Sequence, residues 1–241
     1  MTISILARDE ESSALGGIAA TGSLCVGGWV LRGTAVAGLS ASQGTAPSTL
    51  WGEAVVAAMG NGADARTAVA RVTEPDTGRA HRQLAALDRT GATGAFTGAQ
   101  SIAFAATHEA PGLVIAGNML TGPNVIEAAV EGFGQGATLP FAERLLAAMH
   151  AAAAAGGDAR GLKSAALLVV ARDRAPLTLR IDHAADPLGA LSGLYHASQS
   201  EPYLSWTKVV PVEDDPHRAP APDDKAARPE PMIDSGPLVR R

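Results

Sequence analysis

The segment TISILARD, residues 2–9, begins the predicted architecture. Its side chains at positions 3, 5 and 7 alternate with those at 2, 4 and 6, and this period of two predicts a β-strand over residues 2–8. The polar residues 9–13 predict a hairpin turn, and the small and apolar residues 14–20 predict a returning, buried strand. The chain is therefore expected to open on a β-hairpin.

Position 2 carries the first indication of chemistry. Aminopeptidases remove an initiator methionine when the next residue is small, so Thr2 is expected to become the mature N-terminus. A terminal threonine combines a hydroxyl nucleophile with an α-amine whose pKa of about 7.7–8.0 leaves it partly neutral near pH 7. Nucleophile and general base then lie on one residue. The alternative is an ordinary start, because unrelated chains also begin Met-Thr.

The composition bounds the class of protein. The chain of 241 residues is 46% hydrophobic but 4% aromatic, so its core must consist mainly of Ala, Val, Leu and Ile. A net charge of −5 argues against nucleic-acid binding, and the sequence has neither a polybasic membrane signal nor an apolar run of spanning length. A single cysteine, Cys25, excludes an intramolecular disulfide. Without a signal-peptide pattern, the expected location is the cytoplasm.

The later pattern groups helices between runs of strands. A strand is predicted at 36–42, and a helix at 48–60 with Ser48 as its N-cap and Gly60 as its stop. The further predictions are a helix at 63–72, strands at 83–87, 92–96 and 112–116, helices at 123–133 and 139–155, strands at 165–171 and 177–182, and a helix at 186–196. Because strands and helices do not alternate one for one, the pattern favours α+β layers over a doubly wound parallel sheet.

The last segment differs in composition from the rest. Proline and charged residues dominate VPVEDDPHRAPAPDDKAARPEP, residues 210–231, which offers little to bury. Residues 1–207 are therefore predicted to form one domain, and residues 208–241 a disordered tail. The alternative is a tail that docks on a partner subunit.

Several segments together resemble the domain-of-unknown-function 1028 family, which is grouped with the N-terminal-nucleophile (Ntn) hydrolase-like folds. The segments are TISILARD (2–9), ASQGTAPSTLWGEAVVAAM (41–59), DTGRAHRQLAALD (76–88), FTG (96–98), GNMLTGPNVIEA (117–128), FAERLLAA (141–148) and GGDARGLKSAALLVV (156–170). The similarity runs in unbroken order from Thr2 to about His196. It implies a four-layer αββα sandwich and hydrolysis of an amide bond.

Four candidate site residues lie where predicted strands end or begin. Gly117 and Asn118 follow a buried strand and precede a helix, so they suit an oxyanion-binding turn; a plain strand-to-helix turn is the alternative. Gln43 is either a second amide donor or an ordinary turn residue. Arg79 and Arg82, near His81, suit bidentate binding of a substrate carboxylate, or else belong to a solvated loop or a dimer salt bridge.

The segment 156–170 has the glycines and lysine of a phosphate-binding loop but the wrong order of elements. Such a loop needs a strand before it and a helix after it, and here the order is reversed, which excludes a nucleotide site. By similarity to threonine hydrolases, Asp158 and Ser164 would hold the terminal amine. Lys163 would lower the pKa of that amine through like-charge repulsion. The alternative is that Asp158 caps a turn and Lys163 is solvated.

Two functions remain open from the sequence. The first is an Ntn-type amidohydrolase that cleaves a C–N bond of a small metabolite through Thr2, without a cofactor. The second is a non-catalytic, oligomeric metabolite-binding protein on the same scaffold. The intact Thr2 favours the enzyme. Proteasome-like hydrolases use a lysine after the second strand to tune the terminal amine, and its absence from Thr21-Gly22-Ser23-Leu24-Cys25 favours the binding protein. The six histidines show no pair at metal-ligand spacing, so no metal site is expected. Small residues on sheet and helix faces predict a homodimer.

Overall fold

The computed structural model describes residues 2–158 and 160–221, and within them two antiparallel sheets and seven α-helices. The strands are β1 (Thr2–Arg8), β2 (Leu15–Thr21), β3 (Leu31–Thr34), β4 (Gly38–Gly44), β5 (Arg82–Asp88), β6 (Thr93–Thr97), β7 (Ala106–Ala110), β8 (Leu113–Asn118), β9 (Ser164–Val170) and β10 (Leu177–Ile181). The helices are α1 (Val26–Trp29), α2 (Thr49–Gly60), α3 (Ala65–Thr73), α4 (Asn124–Gln135), α5 (Phe141–Ala154), α6 (Pro187–Ser198) and α7 (Tyr203–Thr207). A 3₁₀ turn, Arg79–His81, precedes β5.

The opening hairpin forms as predicted. β1 pairs antiparallel with β2, with Thr2 opposite Thr21 and Arg8 opposite Leu15. In the turn, the Ser12 N–H donates to the Asp9 carboxylate at 2.9 Å. β1 pairs on its other edge with β8, so the first strand lies in the middle of a six-stranded sheet with the order β10-β9-β2-β1-β8-β7. The second sheet has the order β3-β4-β5-β6.

The alternation of side chains along the strands divides the core into three clusters. One face of the larger sheet packs on α4, α5 and α6 through residues such as Ile3, Ile5 and Leu145. Its other face meets the smaller sheet, and Leu6 belongs to that inter-sheet cluster. The smaller sheet packs on α2 and α3 through a third cluster. Since side chains at i and i+2 share a face, Thr2 points the same way as Leu6, into the space between the sheets.

The sequence patterns missed four short elements: α1, β3, β7 and α7. β3 has four residues and contains a glycine, whereas β7 is an edge strand whose apolar side chains are two alanines. The stop of α2 also differs from the prediction. Gly60 is the last residue of that helix, Asn61 is its C-cap, and Gly62 takes the left-handed backbone with φ 92°. Short or weakly apolar segments leave too little periodicity for sequence reasoning to detect.

The predicted tail, 208–241, is described as far as residue 221. Within it, Val212 and Asp215 form an isolated β-bridge, and Asp214 pairs with Arg172, after β9, at 2.6 Å. Residues 208–221 thus contact the body of the same chain, while residues 222–241 lie outside the described residues. None of the helices in the described part of the chain is both long and apolar enough to cross a lipid bilayer.

Candidate functional site

One end of the larger sheet brings together four polar residues from four neighbouring strands. Asn118 ends β8, Thr2 begins β1, Thr21 ends β2 and Ser164 begins β9. The register places Thr2 opposite both Asn118 and Thr21, and Thr21 opposite Ser164. With neighbouring strands about 4.8 Å apart, the row spans roughly 14 Å. Thr2, Asn118 and Ser164 were candidates from the sequence, and the register brings them together.

Thr2 is half-buried at the centre of this row. Its hydroxyl donates to the hydroxyl of Thr21 at 3.2 Å. Its carbonyl accepts from Nε2 of Gln43, at the end of β4, at 3.2 Å. Thr2 therefore lies where the ends of both sheets meet, within hydrogen-bonding reach of side chains from each.

Three carboxamides form a buried cluster behind Thr2. Oε1 of Gln83 accepts from Nε2 of Gln43 at 2.8 Å and from Nδ2 of Asn118 at 3.2 Å. The two hydrogens of Gln83 Nε2 are shared among three acceptors, the carbonyl of Gly117 at 3.0 Å, that of Ala106 at 3.2 Å and the Thr97 hydroxyl at 2.9 Å. All three carboxamide residues are at most 2% exposed. Gly117, the remaining member of the predicted oxyanion turn, enters this cluster through its carbonyl.

Sequence reasoning missed Gln83 and Thr21. Gln83 directly faces Gln43 in the β4–β5 register, and it has the same orientation as Ala85 and Leu87 in the inter-sheet cluster. A glutamine at the start of the apolar run QLAAL was the available signal, since polar side chains on a buried face need partners.

Asp158 and Ser164 hold the segment that follows β2. Oδ2 of Asp158 accepts from the Gly22 N–H at 2.5 Å, and a Cβ on Gly22 would lie 2.5 Å from the same oxygen, so only glycine fits there. The Ser164 hydroxyl accepts from the Val26 N–H at 3.1 Å and donates to the Ser23 carbonyl at 2.8 Å. These contacts anchor residues 22–26 beside Thr21.

Lys163 lies beside the same row but is exposed. Its backbone N–H donates to the Thr21 carbonyl at 2.8 Å, which extends the β2–β9 pairing by one bond. Arg160 pairs with Asp158 at 3.2 Å, and its backbone N–H donates to the same carboxylate at 2.8 Å. Asp158 therefore closes a turn in addition to binding Gly22.

Arg82 lies next to the carboxamide cluster but is engaged within the chain. Its guanidinium forms an ion pair with Asp76, its Nε donates to the Ala46 carbonyl at 2.9 Å, and it lies 5.6 Å from the ring centre of Trp51. Desolvation raises the pKa of Asp76, but the Gly78 N–H and the guanidinium outweigh it, so the pKa lies below its usual value. Arg82 thus anchors the loop before α2 to the segment before β5.

A separate cavity of about 450 Å³ lies at the opposite end of the larger sheet. Phe141, Leu177 and Tyr195 contribute to its lining. Burial and the neighbouring Glu143 carboxylate, which accepts from the tyrosine hydroxyl at 3.4 Å, raise the pKa of Tyr195 to about 12.

Among the described residues, no group of three or more His, Cys, Asp or Glu side chains is arranged to hold a metal ion.

Comparison with known proteins places the chain in a family. A family model described as a family of unknown function, DUF1028, matches residues 2–191. A crystal structure of protein SPO2555 from Silicibacter pomeroyi, assigned to the same family, has 49% sequence identity and a TM-score of 0.87 over 90% of this chain and 95% of that chain. A search of curated proteins gave no match. The match includes every candidate residue from Thr2 to Ser164, and the chain belongs to the DUF1028 family.

Proposed function

We propose that the protein is an N-terminal-nucleophile amidohydrolase that cleaves a C–N bond of a small metabolite, with Thr2 as nucleophile after removal of Met1. The observation that carries the proposal is the position of Thr2, half-buried between the sheet ends, opposite Asn118 in the register and bonded to Gln43. Helices packed on the outer faces of two stacked antiparallel sheets also support the proposal, because they suit the four-layer αββα sandwich of Ntn hydrolases.

The proposed reaction needs only Thr2, the substrate and water. The Thr2 hydroxyl attacks the substrate carbonyl while the freed α-amine accepts the hydroxyl proton. The C–N bond then breaks, the leaving amine takes that proton, and the acyl group remains on Thr2 as an ester. Water hydrolyses the ester with the same α-amine as base, which releases a carboxylic acid and restores Thr2.

Asn118 is the proposed donor to the oxyanion that forms during the attack. Its side-chain nitrogen carries two hydrogens, and one of them is used by Gln83. Residues opposite one another in an antiparallel pair have Cα atoms about 4.5–5.5 Å apart, so the second hydrogen lies within reach of a carbonyl bound at Thr2. Removal of such a donor typically lowers kcat by about 10²–10³-fold.

The test is the mass of the N-terminal peptide after untagged protein has been incubated with a β-lactone. The Thr2 oxygen opens the ring, so the lactone C–O bond breaks, an ester forms on Thr2, and the ring oxygen leaves as a hydroxyl. We expect an adduct on Thr2 of the wild type and of Thr2→Ser, which keeps a hydroxyl nucleophile. Thr2→Ala is the matched control and should remain unmodified at this position. A wild-type peptide that still carries Met1 would contradict the mechanism.

The second candidate is a non-catalytic metabolite-binding protein that uses the same site. The observation that favours it is the bond from the Thr2 hydroxyl to Thr21, which begins the segment 21–25 that lacks the lysine of proteasome-like hydrolases. The side chains of Asp158 and Ser164 also bind the segment 22–26. In this case Thr2 is processed but stays unmodified by the lactone, and small amides raise the Tm of the protein without being consumed.

A further inference from the structure

We infer that Gln83 is a positioning residue for this site and that it fixes the orientation of the Asn118 and Gln43 carboxamides beside Thr2. The inference rests on the proposed function, because it gives Gln83 a part in the reaction of Thr2. Gln83 itself does not contact Thr2 in the described hydrogen-bond network. It acts through the two carboxamides that do face that residue.

The carboxamide of Gln83 has one permitted orientation. Its nitrogen faces the carbonyl oxygens of Ala106 and Gly117, at 3.2 and 3.0 Å. A carbonyl oxygen only accepts, so a reversed amide would place its own oxygen against two others in a fully buried position. The backbone of β7 and β8 therefore fixes the Gln83 oxygen on the side of Gln43 and Asn118.

The orientation of Gln83 in turn sets the other two amides. Because its oxygen accepts from both, Gln43 and Asn118 must each present nitrogen to it. The second hydrogen of Gln43 is then used by the Thr2 carbonyl. The second hydrogen of Asn118 is left for a substrate oxyanion. Without Gln83, nothing in this network would distinguish the nitrogen of Asn118 from its oxygen.

Gln43 supplies an independent observation in support. Its Oε1 is buried and has no hydrogen-bond partner among the described residues. An unsatisfied buried acceptor lowers stability, so relaxation alone would turn this oxygen toward a donor. The bonds of its nitrogen to Gln83 and Thr2 hold the amide in place despite that cost. A buried acceptor left unsatisfied calls for an explanation, and a required orientation of the Gln43 amide supplies one.

The test compares the rate of Thr2 acylation by the β-lactone in the wild type and in Gln83→Met, which keeps the length of the side chain and removes all its hydrogen bonds. Over a range of lactone concentrations, we expect the maximal rate to fall by about 10–100-fold, with the half-saturating concentration changed by less than about twofold. Thr73→Val is the matched control, because Thr73 is also buried and donates to the Val69 carbonyl in α3. It should react like the wild type.

A double-mutant cycle separates positioning from general loss of stability. If Gln83 acts through Asn118, Gln83→Met should lower the rate far less in an Asn118→Ala background than in the wild type. Equal effects in both backgrounds would overturn the inference, as would an unchanged rate in the single variant. Gln83→Leu replaces Gln83→Met if the latter does not fold, since it also removes the acceptor that orients Gln43 and Asn118 without burying a charge.

A second measurement does not depend on acylation. Hydrogen exchange of the ¹⁵N-labelled side-chain amides of Gln43 and Asn118, followed by NMR, should accelerate at least tenfold in Gln83→Met and stay unchanged in Thr73→Val. Unchanged exchange in Gln83→Met would overturn the positioning role. A wild type that forms no adduct would instead overturn the proposed function, and with it the catalytic part of the inference, whatever the exchange rates show.

Discussion

At the scale of the residue, the alternation of side chains along β1 determines which face of the sheet carries the Thr2 hydroxyl. The side chain of Thr2 shares a face with Leu6, which is buried between the sheets, whereas Ile3 and Ile5 pack against the helices. A shift of one residue in the register would turn the Thr2 hydroxyl toward the helical layer, away from Gln43. The alternation that buries Leu6 between the sheets therefore also directs the proposed nucleophile toward Gln43.

Ser164 gives a prediction at this scale. Its fully buried hydroxyl satisfies the Val26 N–H and donates to the Ser23 carbonyl. Ser164→Ala should lower the free energy of unfolding by about 1–3 kcal/mol, because it leaves a buried N–H without its partner. Urea unfolding measures the loss. Ser23→Ala, which removes an exposed hydroxyl from the same segment, is the control, and equal losses in both variants would contradict the anchoring role.

Single residues also show how far sequence reasoning reaches into the site. Asn118 was recognisable because an amide follows a predicted buried strand, and Ser164 was recognisable through the similarity to threonine hydrolases. Gln83 was not, since its importance comes from facing Gln43 across two strands that are about 40 residues apart along the chain. Pairing between distant strands is set by the packing of the whole sheet, which no local pattern specifies.

At the scale of the element, the N-terminus of α2 follows a local rule and was predictable, whereas its C-terminal stop differed from the prediction. Ser48 caps α2 by accepting from the Trp51 N–H at 3.3 Å, and Asp186 caps α6 by accepting from the Gly189 N–H at 2.9 Å. Each cap satisfies an N–H that the helix itself leaves unpaired. The edge strand β7 was missed for the opposite reason, because its formation depends on β8 being beside it.

The Ser48 cap yields a prediction for α2. Ser48→Ala should lower the free energy of unfolding by about 1 kcal/mol, whereas Ser48→Asp should retain most of the stability, because a carboxylate also accepts at a helix N-terminus. Thermal or urea unfolding distinguishes the two. A loss of the same size in Ser48→Asp would mean that the serine side chain acts through packing and not as a cap.

At the scale of the whole molecule, several large apolar side chains remain on the surface. Trp29 is 52% exposed, Trp206 47% and Tyr203 44%, in a chain that has three tryptophans and two tyrosines. Exposed aromatic side chains of this kind are enriched at protein interfaces. We expect a homodimer, with a mass by light scattering of about twice the 24.3 kDa of the chain. A monomer at micromolar concentration would contradict this prediction.

Tyr195 predicts how the stability of the whole molecule depends on alkaline pH. Its pKa is raised to about 12 by burial and by Glu143, whereas an unfolded tyrosine titrates near about 10. The folded state holds this proton more tightly, so the contribution is complete below about pH 10 and is lost as the pH rises toward about 12.

The measurement is the urea midpoint of unfolding between pH 9 and pH 12. The midpoint of the wild type should fall more steeply than that of Tyr195→Phe, which has no phenol to ionise. Tyr203→Phe serves as the control, because Tyr203 is exposed, and it should follow the wild type. Parallel curves for all three proteins would refute the assignment to Tyr195.

Local periodicity and capping residues were enough to predict the opening hairpin, most helices, the N-cap of α2, the α+β class and a polar residue at the start of β1. Which strands are neighbours depends on the assembled sheets, and with it the row that Asn118, Thr21 and Ser164 form with Thr2. The assembled sheets also decide that Gln83 joins Gln43 to Asn118. Both depend on stacking two sheets so that apolar faces are buried and the polar strand ends meet, which is a property of the assembled chain.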